Sequence, residues 1–355
     1  MITTEHCNPT PWKDGYYRTR TNTSQLFKVT GETFIVHGVS GKPTNMDSPI
    51  CNGTLKYGDF GDAHPEVAKV SGKPRYNVEM NAWGGMWKPH LIVSDDGKSL
   101  AHFGMTNSVD FFEWMSDEEY TALIDSGDPV DAYPHPYKVQ PENQGKLLWL
   151  SGAPGLGKST SGLLLARNEG YVYYEADAFM GHLNPYVPVD VDEPSLATLT
   201  QNALKGVPQD RIDVVTEAMD HMIALMKGKE YDFDKAASFY TAMSKDIARE
   251  QKRIGGDFVI AQAVPTRAFR DHIRAQLGPN LIFVVLHMSK EDQTARIKRR
   301  HGDTDGFTDI FSEIYSTFEP AGEDEPNAIH VLVTNDMTRD DVVEKILRLV
   351  KDYSK

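Results

Sequence analysis

The sequence predicts an α/β domain, a parallel sheet flanked by helices, preceded by a β-rich N-terminal domain. Three observations predict it. Gly152-Ala153-Pro154-Gly155-Leu156-Gly157-Lys158-Ser159 fits the pattern G-x-x-x-x-G-K-[ST], between an apolar run at 146–150 and a helical stretch at 160–168. From residue 146 onward, strand-length apolar runs alternate with helix-length segments, which implies βαβ units. Before residue 128 the runs are short and cut by turn pairs such as Asp14-Gly15, Thr30-Gly31, Asn52-Gly53 and Asp96-Gly97, the pattern of antiparallel hairpins.

The β-rich domain is placed at 1–127, with strands such as 25–29 and 34–39. Ser116-Asp117-Glu118-Glu119 reads as a capping box opening a helix to about residue 124. Residues 128–145 hold Pro129, Pro134, Pro136 and Pro141 and read as an extended, Pro-rich linker. In the domain at 146–355, strands are expected at 147–151, 171–175, 258–263, 282–286 and 329–333, and the last helix at 339–351. Between the second and third strands lies a helical insertion, 195–254, where Val215, Met219, Met222 and Met226 recur at helical spacing as packing residues. Arg296, Lys298, Arg299 and Arg300 end a later helix before a Gly/Asp-rich segment, and 296–320 reads as a lid.

Composition bounds the partners. At 355 residues the length prior is about two domains, and 37 basic against 51 acidic residues give a formal charge of −14. Such a chain repels nucleic acid and anionic membrane unless its cations cluster, and the one basic run is Lys298-Arg299-Arg300. Two cysteines, Cys7 and Cys51, suit a reduced cytoplasmic protein better than a disulfide scaffold. No apolar run has transmembrane length. His37, His64, His90, His102 and His135 lack metal-ligand spacing, and Gly84-Gly85-Met86-Trp87 reads as a tight turn beside aromatic packing. The expected partner is a small-molecule substrate, and oligomeric state is left open.

The chemistry follows from the loop. Its glycines let backbone N–H groups turn inward on phosphate oxygens, so Gly152 to Ser159, with Thr160, are expected to hold ATP. Lys158 reaches the β/γ-phosphates and Ser159 ligates Mg²⁺. Glu175 and Asp177 close the second strand at i, i+2, on one face. Asp177, beyond a strand's carboxyl end, is the better placed to orient or deprotonate an acceptor hydroxyl, or to hold Mg²⁺ through water. Arg267, Arg270 and Arg274 recur at helical spacing after the third strand, and Arg267 and Arg270 are expected to clamp an anionic substrate. Arg296 and Arg300 are expected to neutralise charge on the moving phosphoryl group.

With these residues in place, residues 146–350 resemble the P-loop small-molecule kinases, and most the gluconate kinase family. Arg267-Ala268-Phe269-Arg270-Asp271 resembles that family's Arg-x-Tyr-Arg-Asp. Residues 312–320, ending Phe318-Glu319-Pro320, are similar to its Ser-Gln-Phe…Glu-Pro segment. Gly206-x-Pro208…Asp210-Arg211 is similar to its Gly-x-Pro…Asp-Arg element. The family's Gly-Asp-x-Leu-His-Pro stands here as Ala176-Asp177-Ala178-Phe179-Met180-Gly181, keeping the aspartate and losing the His-Pro pair, and its Leu-Lys-Arg is Pro265-Thr266-Arg267. The resemblance implies an α/β P-loop kinase domain passing the γ-phosphoryl of ATP to a hydroxyl of a small metabolite such as a sugar acid. It implies substrate contacts at Lys205 and Arg211 and places adenine near Asn335. A nucleoside monophosphate as acceptor, and an ATP-regulated binding module without fast turnover, stay open as alternatives.

Overall fold

The computed structural model describes residues 12–19, 26–37, 52–57, 77–81, 90–93, 97–103, 109–125, 133, 135–180, 184–187, 190, 209–301, 314 and 316–353. They fall into two compact units, Met1–Asp128 and Pro129–Lys355.

In the first unit, β1 (Gly15–Thr19), β2 (Leu26–Thr30), β3 (Thr33–His37), β4 (Asn52–Tyr57), β5 (Asn77–Asn81), β6 (His90–Val93), β7 (Ser99–Phe103) and β8 (Val109–Met115) pair antiparallel in chain order. β1 pairs with both β2 and β8, so the sheet closes into a barrel without an open edge. Tyr17, Val29, Leu100 and Phe112 are buried and share one face by register. Gly31, at φ 57, turns the chain between β2 and β3. The capping box forms: Ser116 Oγ accepts from the Glu119 amide at 3.2 Å, and Glu119 Oε2 from the Ser116 amide at 2.8 Å. It opens α1 (Asp117–Asp125), whose Tyr120 stacks on Tyr16. Cys7, Cys51, His64 and the 84–87 turn lie outside the described residues.

The second unit is a three-layer α/β/α arrangement. β9 (Gln144–Ser151), β10 (Val172–Glu175), β11 (Gly256–Ala261), β12 (Leu281–His287) and β13 (Ala328–Leu332) form an all-parallel sheet in the order β10-β11-β9-β12-β13. Central strands are continuously apolar because both faces are covered. Leu147 and Trp149 of β9 join a core with α4 (Gln209–Met226), α5 (Phe233–Ile254) and α6 (Arg267–Leu277). Leu148 and Leu150 join the opposite core with α2 (Lys158–Glu169) and α8 (Arg339–Tyr353). The short α3 (Asp177–Met180) follows β10, and α7 (Lys290–His301) follows β12. The chain leaves β9 for one side of the sheet and returns to its other side at β12. Its carboxyl end is therefore the topological switch point, where α/β sheets bind ligands.

The segment read from sequence as a linker is docked on this unit. Tyr133 is 1% exposed and its hydroxyl donates to the Asp246 carboxylate. The Tyr137 hydroxyl accepts from the Tyr173 amide at 3.1 Å, and the Gln140 amide donates to Ile254 O at 2.6 Å. The tyrosines between its prolines carry apolar area and hydroxyls that find partners on this unit.

Candidate active site

The loop that follows β9 is built by three glycines at positive φ: Gly152 at 134, Gly155 at 82 and Gly157 at 88. At Gly152 and Gly157 the need differs. A Cβ on Gly152 would overlap the Leu286 carbonyl, whereas one on Gly157 would meet open space, so there the backbone conformation alone demands glycine. Ala153 and Leu156 are buried and anchor the loop to the core. Ser159 and Thr160 stand in the first turn of α2. Lys158 Nζ donates to Gly152 O at 2.9 Å and Ala153 O at 3.0 Å, so the lysine curls over its own loop. Burial pushes its pKa down, while Asp177 and Glu175 nearby pull it up.

Those two carboxylates end the neighbouring strand. Glu175 is 2% exposed, and burial, reinforced by Asp177, raises its pKa to about 7. Its carboxylate accepts from the Tyr173 phenol and from Ser159, and so lies against the loop serine. Asp177 is recessed but solvent-accessible; its surroundings raise its pKa and Lys158 opposes the rise. Lys158, Ser159, Asp177 and Glu175 are thus brought together. Glu175 was visible in the sequence at i, i+2 but stood second to Asp177. Tyr173, which orients it, has no signal beyond a strand position.

Gln293 of α7 also escaped the sequence: it is fully buried, and its Nε2 donates to Pro154 O at 2.9 Å. Arg296, one turn on, donates to Thr334 O at 2.9 Å and Asn335 Oδ1 at 3.2 Å. Arg296 and Asn335 are therefore brought together at the loop after β13. The expectation that Arg296 acts on the phosphoryl group is corrected to that extent, because two of its nitrogens are committed there. Arg300 lies in α7, with its side chain outside the described residues, as are Lys205, Gly206, Pro208 and residues 302–313 of the lid.

The α6 arginines require a larger correction. Arg270 is fully buried, pairing Nε and Nη2 with Glu325 at 2.7 and 2.8 Å and donating to Glu319 O and Pro320 O. With its donors spent inside the protein it cannot clamp a substrate. Arg267 Nη1 holds Asp324 at 2.8 and 2.9 Å, and its Nε faces Asp271 at 3.7 Å. Both belong to a clasp that fixes residues 319–325 on α6. Helical spacing could not reveal this, because the partner carboxylates lie about fifty residues downstream. Residues 318–320, with Gly152, Ala153 and His287, line a small depression beside the loop.

Arg211, in the first turn of α4, sits with its guanidinium 4.1 Å from the Phe179 ring centroid. Its Nη1 donates to the Tyr133 hydroxyl at 2.7 Å. Its Nε and Nη2 are buried and have no hydrogen-bond partner among the described residues.

The donor set fits ATP with Mg²⁺. A loop of inward-turning amides under a lysine suits phosphates, and one hydroxyl with two carboxylates suits a hard cation that keeps several waters. No group of three or more His, Cys, Asp or Glu that could cage a metal occurs among the described residues, and no described helix is long and apolar enough to cross a membrane.

No protein-family model and no curated protein sequence matches the chain. Among solved structures it is similar to a gluconokinase from Sinorhizobium meliloti 1021, at 20% identity over 60% of this chain and 97% of that one, with a TM-score of 0.38. It is also similar to a shikimate kinase from Acinetobacter baumannii, at 16% identity over 59% and 94% with a TM-score of 0.34. An APS kinase from Mycobacterium tuberculosis matches at 16% identity over 59% and 99%, with a TM-score of 0.34.

Proposed function

We propose that the second unit transfers the γ-phosphoryl group of ATP to a hydroxyl of a small metabolite that carries an anionic group. The observation that carries this is the meeting of Lys158, Ser159, Glu175 and Asp177 at the switch point of a parallel sheet. Mg²⁺-bound ATP supplies the activated phosphoryl group. Loop amides and Lys158 hold the phosphates, and Lys158 exchanges its carbonyl partners for phosphate oxygens when it does so. Ser159 and Glu175 would hold Mg²⁺, with Tyr173 fixing the Glu175 carboxylate. Asp177, accessible and beside Lys158, orients the acceptor hydroxyl and takes its proton. Arg211 offers its Nε/Nη2 edge to the acceptor's carboxylate or phosphate.

A nucleoside monophosphate acceptor would draw on several arginines of the insertion. Arg249 is committed to Asp246 and Arg253 to Glu250, which leaves Arg211 alone among the described ones and favours a smaller anion.

ATP consumption with Mg²⁺, against a panel of sugar acids, other hydroxy acids, polyols and nucleoside monophosphates, tests the proposal. Fast turnover is expected with a hydroxylated carboxylate or phosphate, and Lys158→Ala should slow it by roughly 10²- to 10³-fold, the effect of removing one preorganised charge from a developing anion. Tight ATP binding without turnover on any acceptor would instead support a nucleotide-regulated binding module.

A further inference from the structure

We infer that Tyr133, in the segment that enters the second unit, is a positioning residue that presets Arg211 to receive the acceptor's anionic group; this rests on the proposed kinase reading. Tyr133 is buried, and its backbone carbonyl is held by Arg253 Nη2 at 2.8 Å. A phenol has one proton to donate and lone pairs to accept with. The proton goes to Asp246, 2.9 Å from both carboxylate oxygens, and a lone pair accepts from Arg211 Nη1 at 2.7 Å. Asp246 is itself fixed by the Tyr174 hydroxyl at 2.6 Å and Arg249 Nη2 at 2.7 Å.

The consequence lies in what this arrangement leaves unused. A direct Arg211–Asp246 pair would spend the guanidinium on an internal carboxylate. With a hydroxyl interposed, Arg211 is held through Nη1 and against Phe179, and its Nε and Nη2 stay buried without a partner among the described residues. That edge binds two oxygens at once. Arg270 of this chain uses the same edge on Glu325, at 2.7 and 2.8 Å. Phe179 is two residues past Asp177, so the ring on which Arg211 of α4 rests and the proposed base share the short helix α3.

The test uses the full chain loaded with Mg²⁺ and a non-hydrolysable ATP analogue, so that the phosphate loop is filled. Acetate and inorganic phosphate serve as anion probes, and the Arg211 Nε–H resonance, identified by its loss in Arg211→Lys, is followed by NMR. In the wild type that resonance should shift and saturate. Tyr133→Phe should weaken the probe's binding roughly tenfold, the value of one hydrogen bond to a charged group, while analogue binding stays within about twofold of wild type. The ring remains and Asp246 keeps two partners, so the variant should fold. If its thermal midpoint nevertheless collapses, Tyr133→Phe with Asp246→Asn lessens the demand of the carboxylate that has lost the phenol's proton and should show the same weakening. Wild-type probe affinity in either variant overturns the inference, as does an Arg211 resonance that neither anion moves. Failure of the wild type to bind the ATP analogue defeats the kinase reading instead.

Discussion

Tyr173 shows how much of the site rests on one side chain outside the motif. Its ring is fully buried between β10 and α2, and its hydroxyl ends on Glu175, which lies against Ser159. The ring has this place because position 162, on the facing side of α2, is glycine: a Cβ there would come within 2.9 Å of Tyr173 Cδ2. Gly162→Ala therefore opposes two effects. Helix propensity gains about 1 kcal/mol, but overpacking against a ring pinned at its far end costs about 1–3 kcal/mol. The ring cannot give way without pulling the phenol from Glu175, so a net loss near 1 kcal/mol and a drop of about 2–4 °C in thermal midpoint are expected. A raised midpoint would mean the ring is free to move. The loop itself was legible because its eight residues are contiguous and each acts through local backbone geometry. Tyr173 was not, since nothing in a strand's sequence says which helix glycine it will meet.

At the scale of elements, α6 and residues 319–325 form a clasp whose parts differ sharply in worth. Arg270 and Glu325 are both fully buried at the side chain, and Arg274 adds a second cation to Glu325. Burial alone would raise the Glu325 pKa, but the bonds from Arg270 and Arg274 outweigh it and hold it at about 2, against 4.5 when unpaired. A carboxyl depressed in the folded state contributes stability that is full above about 4.5 and lost as pH falls toward about 2. Glu325→Gln should thus cost about 3–5 kcal/mol at neutral pH, because it strands Arg270. It should also flatten the acid limb of the stability curve in that window, as read by denaturant melts across pH. Asp324→Asn, removing the exposed partner of Arg267, should leave the denaturant midpoint essentially unchanged. The strands were legible because central parallel strands are apolar throughout. The arginines were misassigned because helical spacing marks a shared face without saying whether carboxylates or a ligand will cover it.

Across the whole molecule, the two units have separate cores. The barrel closes on Tyr17, Val29, Leu100 and Phe112, and the parallel sheet is sandwiched between its own helical layers. The docked residues 133 and 135–143 belong with the second unit. Proline content reports backbone shape. Whether such a segment is covered depends on partners, Asp246 for the Tyr133 hydroxyl and the Ile254 carbonyl for the Gln140 amide, that come from a distant helix. Ligand binding should accordingly stabilise one unit alone. At a hundredfold excess over its dissociation constant, ATP with Mg²⁺ adds about 2.7 kcal/mol to the state that binds it. For a unit of roughly 200 residues this is a rise of about 5–10 °C in melting temperature. Calorimetry should resolve two transitions, with only that of Pro129–Lys355 moving, and with the movement lost in Lys158→Ala. A single transition shifting as a whole would mean that the barrel melts with the sheet, and that nucleotide binding is felt across the domain boundary.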